Sequence, residues 1–166
     1  MPSRSPSGVR LAGDEYQHLV TWNETLLGLR PGSDVTRITV EAREAGNVDD
    51  IVVERGSGPT VYTQVKHAVD AATPVGTKWL TATPGGARSL LMRFRDSWST
   101  LSAGAGDLEM QLVTDREVDP SDALMRLLDR RTELLVPAIA SASVGGDVAK
   151  TRAAWASHLE IEENAL

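Results

Sequence analysis

Asn47 to His67 reads NVDDIVVERGSGPTVYTQVKH, and its two β-branched runs decide how the rest of the chain is read. Ile51 to Val53 and Thr60 to Val65 flank Arg55-Gly56-Ser57-Gly58-Pro59, which predicts a β-hairpin with a loop of about five residues. If Glu54 pairs with Thr60 across that loop, Asp50 stands opposite Gln64, with Lys66 two residues further along the same face. Side chains alternate along a strand, so Ile51, Val53, Val61, Thr63 and Val65 turn the other way, into a core. A carboxylate, an amide oxygen and an ammonium are thereby expected on one side of a sheet, with apolar groups on the other.

Before the hairpin, Gly13 to Leu27 predicts a helix, with Tyr16, Leu19, Val20, Trp22, Asn23, Leu26 and Leu27 at helical spacing and Gly28 and Pro31-Gly32 ending it. Asp34 to Ala42 alternates Val35, Ile38 and Val40 with polar residues and predicts the first strand; Glu41 is expected to face water. After the hairpin, His67 to Gly86 is rich in Thr, Ala, Gly and Pro and predicts irregular or loosely helical chain around Lys78-Trp79-Leu80. Ala87 to Leu101 predicts an amphipathic helix with Leu90, Leu91, Phe94, Trp98 and Leu101 on one side. Arg88, Arg93 and Arg95 rim that helix, either as a guanidinium row for phosphates or as ordinary solvated charges. Asp107 to Val113 alternates Leu108, Met110 and Leu112 and predicts a fourth strand. Pro120-Ser121 is expected to open a helix striped by Leu124, Leu127, Leu128, Leu134 and Leu135, and Asp147 to Leu159 another, through Val148, Trp155 and Leu159.

The 166 residues, 41% of them hydrophobic, suffice for one core, which predicts a flexible tail over 1–12, one main domain over 13–140 and a helical extension over 141–166. The absence of cysteine excludes disulfides and thiolate metal sites and accords with an expected cytoplasmic location. No apolar run approaches the roughly 18 residues of a membrane span. A net charge of −6 weighs against a broadly basic nucleic-acid surface and leaves phosphate contacts that are local or supplied by another domain.

Asp50 followed by Gln64-Val65-Lys66 resembles the PD-(D/E)xK, or restriction-endonuclease-like, nucleases, in the variant where Gln replaces the second acid; Asp49 stands where the family name has Pro. Gly13-x-x-Tyr16-Gln17, Asp49 to Glu54, Gln64 to His67 and the helix carrying Phe94 and Trp98 are similar to the N-terminal double-stranded DNA endonuclease domain of CBASS-type bacterial anti-phage effectors. The resemblance covers Gly13 to about Asp115. It implies an α/β (α+β) fold with a mixed sheet of about four or five strands flanked by helices, a helix joining the third and fourth strands. It also implies a Mg2+ (or Mn2+) cofactor, a duplex DNA substrate, assembly of several copies on activation, and a sensing domain following the nuclease, outside this chain.

The implied roles have a physical basis. Magnesium takes hard oxygen ligands and retains several waters, so the Asp50 carboxylate, the Gln64 amide oxygen and the Val65 carbonyl would form a sufficient protein shell. Lys66 would orient or deprotonate a water, or stabilise charge developing on the phosphate. Gln17 would reach the metal or its water from the first helix, with Glu54 a more distant support on the hairpin face. The same residues also admit two other readings: a catalytically silent domain of this fold acting in nucleic-acid binding or assembly, and an unrelated α/β protein whose polar strand face has no chemistry.

Overall fold

The computed structural model describes residues 6–68, 72–104, 106–129, 131 and 145–162. Among them the chain runs through helix α1 (Pro6–Gly28), strand β1 (Val35–Val40), strands β2 (Ile51–Arg55) and β3 (Thr60–Lys66), helices α2 (Thr77–Leu80) and α3 (Leu90–Leu101), strand β4 (Leu108–Thr114) and helix α4 (Asp147–Leu159). The protein is a mixed α+β fold whose four strands form one sheet in the order β1-β2-β3-β4. The pairs β1–β2 and β2–β3 are antiparallel, whereas β3 and β4 run parallel, from Thr60 beside Leu108 to Lys66 beside Thr114. A parallel pair cannot be joined by a tight turn, and the segment bearing α2 and α3 provides the crossover. Two compact units result, Met1–Asp70 with Phe94–Asp115, and Ala71–Arg93 with Arg116–Leu166. None of the described helices is long and apolar enough to cross a membrane.

In the first unit the hairpin has the expected register: Ile51 faces Thr63, Val52 faces Tyr62 and Val53 faces Val61. Ile51, Val53, Val61 and Val65 form a buried cluster, closed by Tyr16 and Val20 of α1 and by Val35 and Ile38 of β1. The connecting loop is held from outside, because Gly56 donates its N–H to the Asp34 carbonyl (2.8 Å) and Ser57 donates both its N–H and its hydroxyl to Asp34 Oδ2. The opposite face is not wholly polar. Val52 is buried there with Ala42, Ala45 and Tyr62, because the 3-10 turn Arg43–Ala45 folds over that face and packs on it.

Helix α1 opens at Pro6 rather than Gly13, so the part of the expected tail from Pro6 onward is helical. Proline suits a helix start, where its fixed φ is already helical and its missing N–H had no partner to lose. The sheet accommodates only the Tyr16 and Val20 side of this helix; Leu19, Trp22 and Leu26, read on the same stripe, stay exposed. Helix α3 begins at Leu90 rather than Ala87, because Ser89 Oγ accepts the Met92 N–H and caps it (3.1 Å). Ser97 is buried and its hydroxyl accepts the Asn47 N–H (3.0 Å). Gly46, at φ +69°, passes beside it, and a Cβ there would stand 3.3 Å from Ser97 Oγ. Trp98, expected inside, is half exposed because the inward side of this turn is the one bearing Ser97.

The second unit is organised by Asp122. One carboxylate oxygen accepts the Thr77 N–H at the start of α2 (2.7 Å), and the other accepts the N–H groups of Leu124 (3.0 Å) and Met125 (3.2 Å). Gly76 permits this approach, since a Cβ would lie 3.3 Å from Asp122 Oδ2. Val75 and Val118 form a parallel bridge beside it, and the buried Trp155 of α4 donates its indole N–H to Thr77 Oγ1 (3.0 Å). The helix expected from Pro120 is instead a 3-10 turn over Met125–Leu127, because Asp119 holds Ser121 and Asp122 holds Leu124 and Met125 in side-chain-to-backbone turns. Leu134 and Leu135 lie outside the described residues.

Ile51→Ala should cost about 2–5 kcal/mol and Ile51→Val about 0.5–1.5 kcal/mol, read as shifts in the urea unfolding midpoint. Burial raises the Asp122 pKa, but the N–H bonds, Thr77 first, outweigh it and leave the carboxyl below its ordinary value. A depressed folded pKa stabilises above the unfolded value and loses that stabilisation as pH falls through the folded one. Asp122→Asn should therefore flatten the acid side of the stability curve with little change in its slope above pH 6, as measured by thermal melts from acid to neutral pH.

Candidate functional site

Asp50 sits one residue ahead of β2, where the β1–β2 ladder gives way to the Arg43–Ala45 turn. Its carbonyl accepts the Glu41 N–H (3.1 Å) and the Gln17 side-chain amide (3.4 Å). Its carboxylate accepts two donors on Oδ2, the Val65 N–H (2.6 Å) and the Gln64 side-chain amide. Backbone and side chain of one aspartate are thus fixed by three different segments. Glu41 adopts φ +53°, a left-handed conformation that costs a non-glycine residue on the order of 1 kcal/mol, and its side chain is exposed.

The structure brings Asp50 and Gln64 together on one face, with Gln64 buried and Asp50 half-buried. Lys66, half-buried, lies on the same face by strand alternation. The N–H and C=O of one strand residue point toward the same edge, so the Val65 carbonyl faces the side from which its N–H reaches Asp50. Gln17 approaches this corner, but through the Asp50 main chain rather than its carboxylate. Glu54 is not part of it: it pairs with Arg37 across the β1–β2 ladder and lies four residues along the strand, roughly 13 Å away. The three arginines do not share one environment. Arg88 is exposed ahead of α3, Arg93 has its Nε buried, and Arg95 is turned onto Asp96 through Nε (3.0 Å) and Nη2 (2.7 Å).

Beside this corner is a cluster that the sequence reading passed over. His67 Nδ1 lies 2.8 Å from Asp115 Oδ2, and Asp115 Oδ1 accepts the Ala68 N–H (2.6 Å). The Tyr16 ring stands 5.7 Å from the imidazole. Burial raises the Asp115 pKa, but the Ala68 N–H and the nearby His67 outweigh it and hold the carboxyl below its ordinary value; burial, then the Asp115 charge, pushes the Tyr16 phenol up. The parallel register explains the meeting. Lys66 faces Thr114, so the residues that follow each strand, His67 and Asp115, emerge side by side. A parallel partner for Gln64 to Lys66 was the signal needed, and periodicity within one strand cannot supply it.

Among the described residues no three His, Asp or Glu side chains converge on a metal-sized space. The polar groups gathered at Asp50 are its carboxylate, the Gln64 side-chain amide and the Val65 N–H. Gln64 now presents Nε2 to Asp50; a half-turn of the terminal amide exchanges Nε2 for Oε1, and a cation would then replace the hydrogen bond between the two side chains. No protein-family model matches this chain, and no curated protein matches it in sequence.

Proposed function

We propose that this chain is a metal-dependent endonuclease domain that hydrolyses phosphodiester bonds of double-stranded DNA, as an effector of bacterial anti-phage defence. One observation carries the reading: the contact of Asp50 with Gln64 and Val65 at the head of the hairpin, with Lys66 following on the same strand face. The order of elements, a helix, three strands, a helical crossover and a parallel fourth strand, accords with the resemblance to restriction-endonuclease-like proteins. Asp50, the Gln64 amide oxygen and the Val65 carbonyl would hold Mg2+ or Mn2+. When bound there, such an ion would supply Lewis acidity for the phosphate and for the activation of water. Gln17 and the Glu41 N–H hold the Asp50 main chain so that its carboxylate keeps one orientation. Lys66 brings a positive charge to the phosphate as negative charge grows on its oxygens. In this reading further copies and a sensing domain beyond this chain control the activity.

A catalytically silent domain that acts in nucleic-acid binding or assembly is the second reading. It is favoured by the saturation of Asp50 Oδ2 by two protein donors, which gives that carboxylate a structural use without any ion. Incubation of supercoiled plasmid with the protein, with and without Mg2+, separates the two. The nuclease reading expects metal-dependent nicked and linear products that disappear in Lys66→Ala while its melting midpoint stays near wild type. Intact plasmid under both conditions, at concentrations where copies associate, supports the silent domain.

Gln64→Glu provides a test independent of cleavage. Placing a second carboxylate against Asp50 should lower the melting midpoint in EDTA through like-charge repulsion, and Mg2+ should restore it. For a ligand that binds only the folded state, each tenfold rise in free ion above the dissociation constant adds about 1.4 kcal/mol. An equal response to Mg2+ in wild type, Gln64→Glu and Asp50→Ala would show that these residues hold no ion.

A further inference from the structure

Helix α1 turns Tyr16 and Val20 onto the hairpin core, and on its other side it presents Leu19 (67% exposed), Trp22 (64%) and Leu26 (59%) to solvent, followed just past its end by Leu29 (75%), with Leu11 a further exposed apolar residue near its start. Leu19, Trp22, Leu26 and Leu29 recur at alternating intervals of three and four, the spacing of a helix-pairing seam rather than of scattered surface residues. Exposed Glu15 continues this stripe one turn before Leu19. With two copies antiparallel about the level of residue 24, the two Glu15 carboxylates would stand on the order of 27 Å apart, beyond the roughly 8 Å over which charges act at physiological salt.

The area decides what kind of occupant fits. Large side chains expose on the order of 150–250 Å² each when free, so the four of this stripe, about three-fifths to three-quarters exposed, present roughly 500 Å². That lies within the roughly 300–600 Å² of the largest apolar patches on monomers. Two copies of this face against each other would bury about 1,000 Å², the size of a weak protein–protein interface. A face that matches itself about a two-fold axis needs no second surface, and a helix can do this when antiparallel to its copy. A two-fold axis crossing the stripe between Trp22 and Leu26 sets Trp22 of one copy against Leu26 of the other, and Leu19 against Leu29.

We infer, from the exposed face of α1 alone and independently of the chemistry at Asp50, that α1 docks against α1 of a second copy of this chain in an antiparallel two-fold dimer centred between Trp22 and Leu26. The dimer is of micromolar strength, in keeping with its area and its open rims. Sedimentation equilibrium of the wild-type chain should give a mass that rises toward twice that of one chain across the micromolar range. Trp22→Glu and Leu26→Glu should each hold it at one chain mass with unchanged circular dichroism, because both positions are exposed and their replacement leaves the core intact.

Since the chain has no cysteine, single cysteines carry spin labels cleanly. Labels at Asn23→Cys should lie close together, across an interaxial separation of about 8–10 Å. Labels at Arg10→Cys should stand on the order of 40 Å apart, since α1 rises about 1.5 Å per residue away from the axis in opposite directions. A wild-type chain that stays at one chain mass throughout, a dimer that survives Trp22→Glu and Leu26→Glu, or short distances at both label positions would each overturn the inference.

Discussion

The antiparallel register of β2 against β3 is the constraint from which the rest of the first unit follows. With Ile51 opposite Thr63, all of Ile51, Val53, Val61 and Val65 fall on the side that α1 covers, and Asp50 falls beside Gln64 on the other. A slip of one residue would put the valines in water and the carboxylate under the helix, so burial and site geometry select the same pairing. The loop reinforces that choice, because Ser57 and Gly56 are tied to Asp34 and the turn cannot lengthen by a residue without breaking those bonds.

The hairpin was legible because its information is local. β-branched runs, a Gly-rich loop and period-two alternation all lie within Asn47 to His67, and a polar face on one strand forecasts the polar face on the next. The fourth strand and α4 were legible for the same reason, each showing its own period. What the pattern could not supply was the choice between two apolar faces of one helix. Leu19 and Trp22 are as hydrophobic as Tyr16 and Val20, and only the docking of α1 on the sheet decides which pair is covered. Capping likewise moved α3, since Ser89 begins it through a hydroxyl and the preceding Ala87-Arg88 have no such device. The meeting of His67 with Asp115 depends on a parallel pairing between strands far apart in sequence, which no window on one strand contains.

At the candidate site, position was easier to read than use. The facing of Asp50 and Gln64 follows from register, but the two donors on Asp50 Oδ2 also make this carboxylate a clasp that carries the hairpin one step beyond its ladder. Asp122 does the same work in the second unit, where no reaction is in view: a half-buried carboxylate gathers N–H groups from Thr77, Leu124 and Met125 and so fixes segments that have no regular ladder between them. A carboxylate satisfied by amides needs no metal to justify its burial.

The parallel ladder between β3 and β4 has a consequence for the order of events in folding. All seven residues of β3 pair with β4, yet the partner arrives only after the chain from His67 to Asp107 has looped back. The β2–β3 hairpin closes over a few residues and can form in about 1–10 μs, whereas the β4 pairing must first meet the entropy of a much larger closure. β3 is therefore a template that stands half-paired while its other edge waits. In pulsed hydrogen exchange, protection in β2 and β3 should precede protection in β4. That interval is when the unpaired edge of β3 is open to another chain, so the step most exposed to aggregation belongs to an inner strand of the finished sheet rather than to either of its edges.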